Sequence, residues 1–386
     1  MIIGGFGSVG TGLAKLGDDV LIGFNRIYAI DNEQTKLDIR SDLDISFILG
    51  DIQDISFLQD FLNKVDFPAI FVNLCPHVDN IILRKFLSRY PVAYIDSCVS
   101  AISGNDESCI SRLMSYTNSF ISSRYPHLVC WGINPGMVEI IARMIIKDCF
   151  SNDGMFDVSV FEHDQLIADF DNSMKAVGWS PCSLVDEFML TPSYQIQDGE
   201  EVEAEENRAG KIVAFWEGQK VKSGIVAHED IWNIGNLLAG INSARFIYGL
   251  QPGVMKLLEG SPDEAMRLLK IPEDNVPVYG WDRIAVEVGC LRSGRKCTLL
   301  WETNHHQVWE EFRVNAVQYQ TAKSLLFAVK LVQQTHYGHL KNSHCASNLP
   351  IRQTDWQIVK SFMDDLDIIW NDGKFLGLDT ISLGGV

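Results

Sequence analysis

Apolar runs of strand length recur along the first third of the chain: Met1 to Gly4, Arg26 to Ile30, Ile45 to Leu49, Ala69 to Leu74, Val92 to Ile95 and Leu128 to Trp131. Between them lie segments of helical periodicity, Ser8 to Leu16, Ser56 to Lys64, Asn80 to Arg89 and Glu107 to Arg124. Strands that are apolar at successive positions are buried on both faces, so the alternation predicts a doubly wound parallel sheet covered by helices. Ser56, just after Asp54-Ile55, is expected to cap its helix.

Asn134-Pro135-Gly136 breaks the alternation, and a helix from Met137 to Cys149 leads the chain onward. Strand candidates Val158 to Phe161, Lys211 to Trp216, Gly224 to Ala227 and Ala244 to Tyr248 then follow with few long helices between them. Val286 to Leu291 and Lys296 to Glu302 read as a hairpin about Ser293-Gly294. Helical periodicity returns at Arg313 to Thr335 and Trp356 to Trp370. The expected fold class is α/β: a Rossmann domain over 1–137 and a second, α+β domain over 138–310 with a mostly antiparallel sheet. Helices over 311–386 are expected to return to the first domain.

A length of 386 residues, 46% of them apolar and 21% charged, suits two globular domains. No run reaches the roughly 18 apolar residues of a membrane helix, and the N-terminus enters a strand without signal-peptide character, so a cytoplasmic location is expected. A net charge of −18 argues against nucleic-acid and anionic-membrane partners and suits a small cationic one. The acidic run Gly199 to Glu206 reads as a solvated loop or helix face. Nine scattered cysteines without a CxxC pair read as reduced thiols. His336, His339, His344 and Cys345 match no familiar metal spacing, and no metal is expected.

The most informative local motif is Gly5-x-Gly7-x-x-Gly10 between a strand and a helix. Gly5 permits the turn, and Gly7 lets backbone N–H groups, with Ser8 and Val9, approach a pyrophosphate. Gly10 allows helix and strand to pack closely. Asp31 ends the next strand, placed to accept hydrogen bonds from ribose hydroxyls, and no Arg or Lys follows it closely, which favours NAD over NADP. Only about four residues precede Gly5, short for a central strand, and a few more are expected ahead of Met1. In a doubly wound sheet the ligand lies beyond the carboxyl ends of the strands. The residues there are Asp51 and Ile52, flanking the adenine, then Asn73, Asp96, and Asn134 with Pro135, progressively nearer the nicotinamide. Each is equally an ordinary turn or cap residue.

In the second half, Glu162 and Asp164 end a strand, and Gly178-Trp179-Ser180-Pro181 opens a helix candidate reaching Glu187. Were the helix to start at Trp179, Trp179 and Glu187 would share a face. An indole face holds an ammonium or iminium ion, and a nearby carboxylate pairs with it and exchanges its proton. Taken singly, Trp179 fits a core position and Glu187 a solvated helix face.

These residues, in order, resemble bacterial homospermidine synthases, within the wider saccharopine-dehydrogenase-like group. The likeness rests on the glycine motif, Asp31, Asp96-Ser97, Asn134-Pro135-Gly136-Met137-Val138, Glu162 with Asp164, Trp179-Ser180 and Glu187. The resemblance implies a homodimer that takes a hydride from a diamine onto bound NAD, exchanges amine at the imine and returns the hydride. It implies that Trp179 stabilises an iminium, that Glu162 and Glu187 bind ammonium groups and shuttle protons, and that Asn134 orients substrate. Two departures, Leu250-Gln251-Pro252 for the family's Tyr-His-Pro and Ala176-Val177-Gly178 before Trp179, leave the substrate open. A reductive condensation of amine with carbonyl compound, as in saccharopine and carboxyspermidine dehydrogenases, would use arginines for the α-carboxylate; Arg143, Arg208, Arg245 and Arg283 are available. A non-catalytic dinucleotide sensor is the third reading.

Overall fold

The structure, a computed structural model, describes residues 1–21, 23–34, 45–75, 78–97, 122–150, 154–170, 173–204, 212–216, 219–334, 340–352, 355–371 and 378–380. The chain divides into two compact units, Met1–Met137 with Gln318–Leu349, and Val138–Val317 with Pro350–Val386.

The first unit is built on β1 (Ile2–Gly4), α1 (Ser8–Leu16), β2 (Tyr28–Asp31), β3 (Ser46–Leu49), α2 (Ile55–Leu62), β4 (Ala69–Asn73), α3 (Asn80–Leu87), β5 (Val92–Asp96) and β6 (His127–Leu128). With a short strand at Ser343–His344 they form a seven-stranded parallel sheet, in the order Ser343–His344, β6, β5, β4, β1, β2, β3. β1, β4 and β5 are buried along their whole length, as unbroken apolar runs require. Ile2, Ile30, Phe71 and Tyr94 pack in one core, where the Phe71 and Tyr94 rings stack 6.4 Å apart. The residue that caps α2 is Asp54 rather than Ser56, because its carboxylate accepts the N–H groups of Ser56 and Phe57. The strand expected to reach Trp131 stops at Leu128, and Cys130 turns the backbone to φ 55°. Most of the helix expected over Glu107 to Arg124 lies outside the described residues.

The second unit contains α4 (Met137–Cys149, one residue of which belongs to the first unit), β7 (Phe156–Asp164), α5 (Pro181–Val185), β8 (Ser193–Gln197), β9 (Glu200–Ala204), β10 (Ile212–Trp216), β11 (Gln219–Val226), α6 (Glu229–Leu237), β12 (Ile241–Leu250), β13 (Trp281–Cys290), β14 (Lys296–Asn304) and α7 (His305–Phe312). Its ten-stranded sheet is antiparallel except where β7 and β12 run parallel. β8 and β9 correct the reading of the acidic run: Glu200 to Ala204 is a strand paired with Ser193 to Gln197, turned through Asp198 at φ 52° and Gly199 at φ 77°. Two successive positive φ values make the two-residue turn that Asp-Gly favours.

The long helix α8 (Ala316–Gln333) belongs to the first unit from Gln318 onward, whereas α9 (Asp355–Asp365) belongs to the second. The segment over 311–386 therefore does not return to the first unit as one piece. Trp370, expected at a helix end, sits in a strand, Ile369–Asn371, that extends the second sheet beside β14. Among the described residues no helix is long and apolar enough to cross a membrane.

Candidate active site

At the carboxyl edge of the parallel sheet, the three motif glycines meet distinct demands. Gly5 has φ +85°, a Cβ there would meet the backbone N of Cys75 at 2.8 Å, and its N–H donates to Ile30 O at 2.9 Å. A Cβ on Gly10 would lie 2.8 Å from Gly5 O. A Cβ on Gly7 would meet nothing within 4 Å, so this position is spacious rather than packed. Gly7 is the N-cap of α1 without a side-chain cap, and Ser8 and Val9 form its half-buried first turn. Such a helix end presents N–H groups and positive dipole to an anion. Asp31 is buried beside it, Oδ2 accepting Phe6 N–H at 2.8 Å and Oδ1 accepting Glu33 N–H at 3.0 Å. Each carboxylate oxygen retains a lone pair for a further donor.

The other residues expected at this edge divide into surface and framework. Asp51 is exposed and accepts Gln53 N–H, while Ile52 is buried in the core. Asn73 donates to Asn80 Oδ1 at 3.0 Å and to the Tyr94 hydroxyl at 3.1 Å. Asn80 donates to Asp96 Oδ2 at 3.2 Å, and Asp96 Oδ1 accepts Cys130 N–H at 2.7 Å. This buried chain ties together the ends of β4 and β5 and the segment after β6. Asn134 and Pro135 lie in a tight turn closed by Gly132 N–H to Pro135 O at 2.6 Å, with Gly136 at φ +121°. Asn134 is half-buried there.

The second unit gathers a separate set of groups. The expected helical face shared by Trp179 and Glu187 does not form, because Trp179 lies in a bend, Ser180 caps α5, and Asp186–Leu190 winds as a π-helix. Trp179 is held otherwise: its Nε1 donates to the hydroxyl of buried Tyr248 at 3.0 Å. Tyr248 on β12 is in register with Glu162 on β7. Phe188, beside Glu187, packs on Tyr248 at 5.5 Å, Tyr248 on Phe246 at 5.5 Å, and Phe246 on His228 at 4.6 Å.

Buried charge dominates this region. Glu187 Oε2 is sealed from solvent with no hydrogen-bond partner among the described residues. Burial pushes its carboxyl well above the ordinary 4.5; His228 opposes this, and Glu229, Glu162 and Asp186 reinforce it. His228 is buried but pushed up to about 10, because Asp230 Oδ1 at 3.0 Å and Glu229 Oε2 at 3.8 Å outweigh the desolvation of its charged form. Asp282 on β13 stands opposite Asp164 in the antiparallel register. Like charges directly opposed in a dry site repel, and burial with Glu162 and Asp164 pushes the Asp282 carboxyl well up. The Tyr248 phenol is likewise pushed up by burial and by Glu162, Asp164 and Asp282.

Tyr248, His228, Asp230, Asp282 and His305 were not singled out from the sequence. Acids and a tyrosine ending or opening otherwise apolar strands are the signal that was there to read. Gln251 caps the next helix, Oε1 accepting Gly253 N–H at 2.6 Å. Arg245 donates to Ser159 at 3.0 Å, Arg283 pairs with Glu302 at 2.8 Å, and Arg143 lies over the Trp356 ring at 5.7 Å. Arg208, His336 and His339 lie outside the described residues. Among the described residues no group of three or more His, Cys, Asp or Glu side chains is arranged for a metal ion.

No family model matches the chain, and no curated protein matches it. Among solved structures it is similar to the homospermidine synthase of Legionella pneumophila in complex with NAD, at 14% identity and a TM-score of 0.75, over 96% of this chain and 90% of that one. It is also similar to saccharopine dehydrogenase (L-Glu forming) of Saccharomyces cerevisiae, at 11% identity and a TM-score of 0.59, over 99% of each chain. At these identities the likeness is one of fold: a Rossmann-type α/β unit joined to a mixed α+β unit.

Proposed function

We propose that this chain is an NAD-dependent oxidoreductase acting on an amine in the manner of a homospermidine synthase, converting two molecules of putrescine to homospermidine and ammonia without net redox change. The carrying observation is Glu187, a buried carboxyl with an unmatched oxygen in the charge field of Glu162 and His228. Support for the cofactor comes from the space at Gly7, the uncapped α1 and the adjacent Asp31 carboxylate. Gly5, Gly7, Ser8, Val9 and Gly10 would hold its pyrophosphate and Asp31 its ribose. Asp51 with Ile52 would flank the adenine, and Asn73, Asp96, Asn134 and Pro135 the nicotinamide side. When bound, NAD supplies reversible acceptance of the electron pair from the amine carbon.

The chain's own groups supply charge and protons. With its carboxyl pushed up by burial, Glu187 gives a proton to the departing ammonia and takes one back from the incoming amine. Glu162 binds ammonium. The Trp179 indole, fixed by Tyr248, offers its face to the iminium. Of the arginines that could hold an α-carboxylate, Arg245 is bonded to Ser159 and Arg283 is paired with Glu302, which supports an amine substrate. A cytoplasmic homodimer belongs to the same proposal.

The test is purified protein with NAD and putrescine, without added oxidant or carbonyl compound, followed by mass spectrometry. Homospermidine with ammonia and no accumulation of NADH is expected. NADH-dependent consumption of an amine with a keto acid instead would move the chain to reductive condensation, and NAD binding without any turnover would make it a sensor.

A further inference from the structure

We infer that Asp164, oriented by His305, is the carboxylate that binds the far ammonium group of a diamine substrate. The inference rests on the amine-oxidising reading above and adds a residue to which that reading gives no role.

Asp164 ends β7 and is 1% exposed. Its Oδ1 accepts Leu166 N–H at 2.9 Å and lies 3.0 Å from His305 Nε2. On the other side of that ring, Nδ1 accepts the backbone N–H of Ala316 at 3.0 Å, so Nδ1 carries no proton and Nε2–H donates to Asp164. Oδ1 is thereby fully engaged. Oδ2 is buried and has no hydrogen-bond partner among the described residues. Its direction is set as well: a Cβ on Gly178 would lie 2.9 Å from Oδ2, so the oxygen faces the segment that carries Trp179. That segment is tied down by Asn315, whose Nδ2 donates to Gly178 O at 2.8 Å.

A buried acceptor held in one orientation and left unmatched needs a donor, and a ligand supplies one. The occupant this oxygen suits is a cation with N–H groups, because Glu162, two residues back on the same face of β7, adds a carboxylate beside it and the Trp179 indole lies next along the chain. A diamine brings two nitrogens, of which only one sits on the carbon that is oxidised. Glu187 handles protons at the reacting nitrogen, and Asp164 holds the other. His305 acts through Asp164 and is a positioning residue.

The test compares putrescine with butylamine, which lacks the second nitrogen, in the wild-type chain and in Asp164→Asn and His305→Gln, following released ammonia and the secondary-amine product by mass spectrometry. For Asp164→Asn we expect KM for putrescine to rise by at least about tenfold, kcat to stay within about threefold, and the preference for putrescine over butylamine to vanish. His305→Gln keeps the carboxylate and should lower the same preference by a smaller factor, which a purely structural role would not do. A folded Asp164→Asn that keeps the wild-type KM and preference overturns the assignment. Should that variant not fold, an unchanged preference in His305→Gln overturns it instead. Wild-type protein that oxidises neither amine removes the amine reading and this inference together; a putrescine-preferring wild type with an equally discriminating variant removes Asp164 alone.

Discussion

Burial of Glu187 has two opposed consequences at the scale of one residue. A carboxyl whose value is pushed well above the ordinary 4.5 keeps its proton to higher pH than a free glutamate and is the better placed to donate it, so Glu187→Gln is expected to lower turnover at least about a hundredfold. The same burial weakens the fold. With its folded value raised above 4.5, the native state binds this proton more tightly than the unfolded chain, so stability falls as pH rises above 4.5. The glutamine variant loses that decline. Urea denaturation at about pH 5 and about pH 8 should show the variant gaining on the wild type at the higher pH; a constant gap would contradict the burial. His228 runs the other way. Raised to about 10 by Asp230 and Glu229, it contributes stability in full below its ordinary 6.5, and that contribution is lost as pH rises through about 10. Asp230→Asn removes the closest counter-charge, and the expected cost is about 3 to 5 kcal/mol at neutral pH, with the alkaline loss of stability moving toward neutrality. Denaturation curves across that pH range check both.

At the scale of elements, the turn into α1 separates a residue kept for packing from one kept for space. Gly7→Ala adds a methyl where nothing lies within 4 Å, at an ordinary φ of −77°, so stability should stay within about 0.5 kcal/mol while NAD affinity drops roughly tenfold. Gly10→Ala drives a methyl to 2.8 Å from Gly5 O and should destabilise the unit before any ligand is added. Thermal melts and NAD titration of both variants distinguish the two; a Gly7→Ala variant with wild-type NAD affinity would remove the cradle reading. These elements were legible because their determinants are local. α1 runs from Ser8 to Leu16 as its periodicity predicts, and the parallel strands fall on unbroken apolar runs. The Asp198-Gly199 hairpin is equally local, but the density of carboxylates from Glu200 to Glu206 masks the strand signal that follows it. The π-helix at Asp186–Leu190 breaks the 3.6-residue rule from which the shared face was inferred. The pairing of Asp164 with Asp282 and of Glu162 with Tyr248 depends on registers between distant segments, which no periodicity encodes.

On the scale of the whole molecule, 50 acidic against 32 basic side chains give a net charge of −18, and so a negative field at long range. That field acts with opposite sign on the two ligands proposed here. Putrescine carries two positive charges and is attracted; NAD carries net negative charge on its pyrophosphate and is repelled until the local N–H groups of α1 take hold. Raising salt from about 0.05 to about 0.5 M shortens the screening length from above 10 Å to a few ångströms, which removes the long-range part and leaves buried contacts largely intact. The expected result is a fall in kcat/KM for putrescine, a shallower fall for singly charged butylamine, and no fall, or a gain, in NAD affinity. A general effect of salt on stability would move all of these together, so the sign difference isolates the field. Equal slopes for putrescine and butylamine would mean that the net charge serves solubility alone, and that discrimination between the amines is made wholly by buried carboxylates such as Asp164 and Glu187.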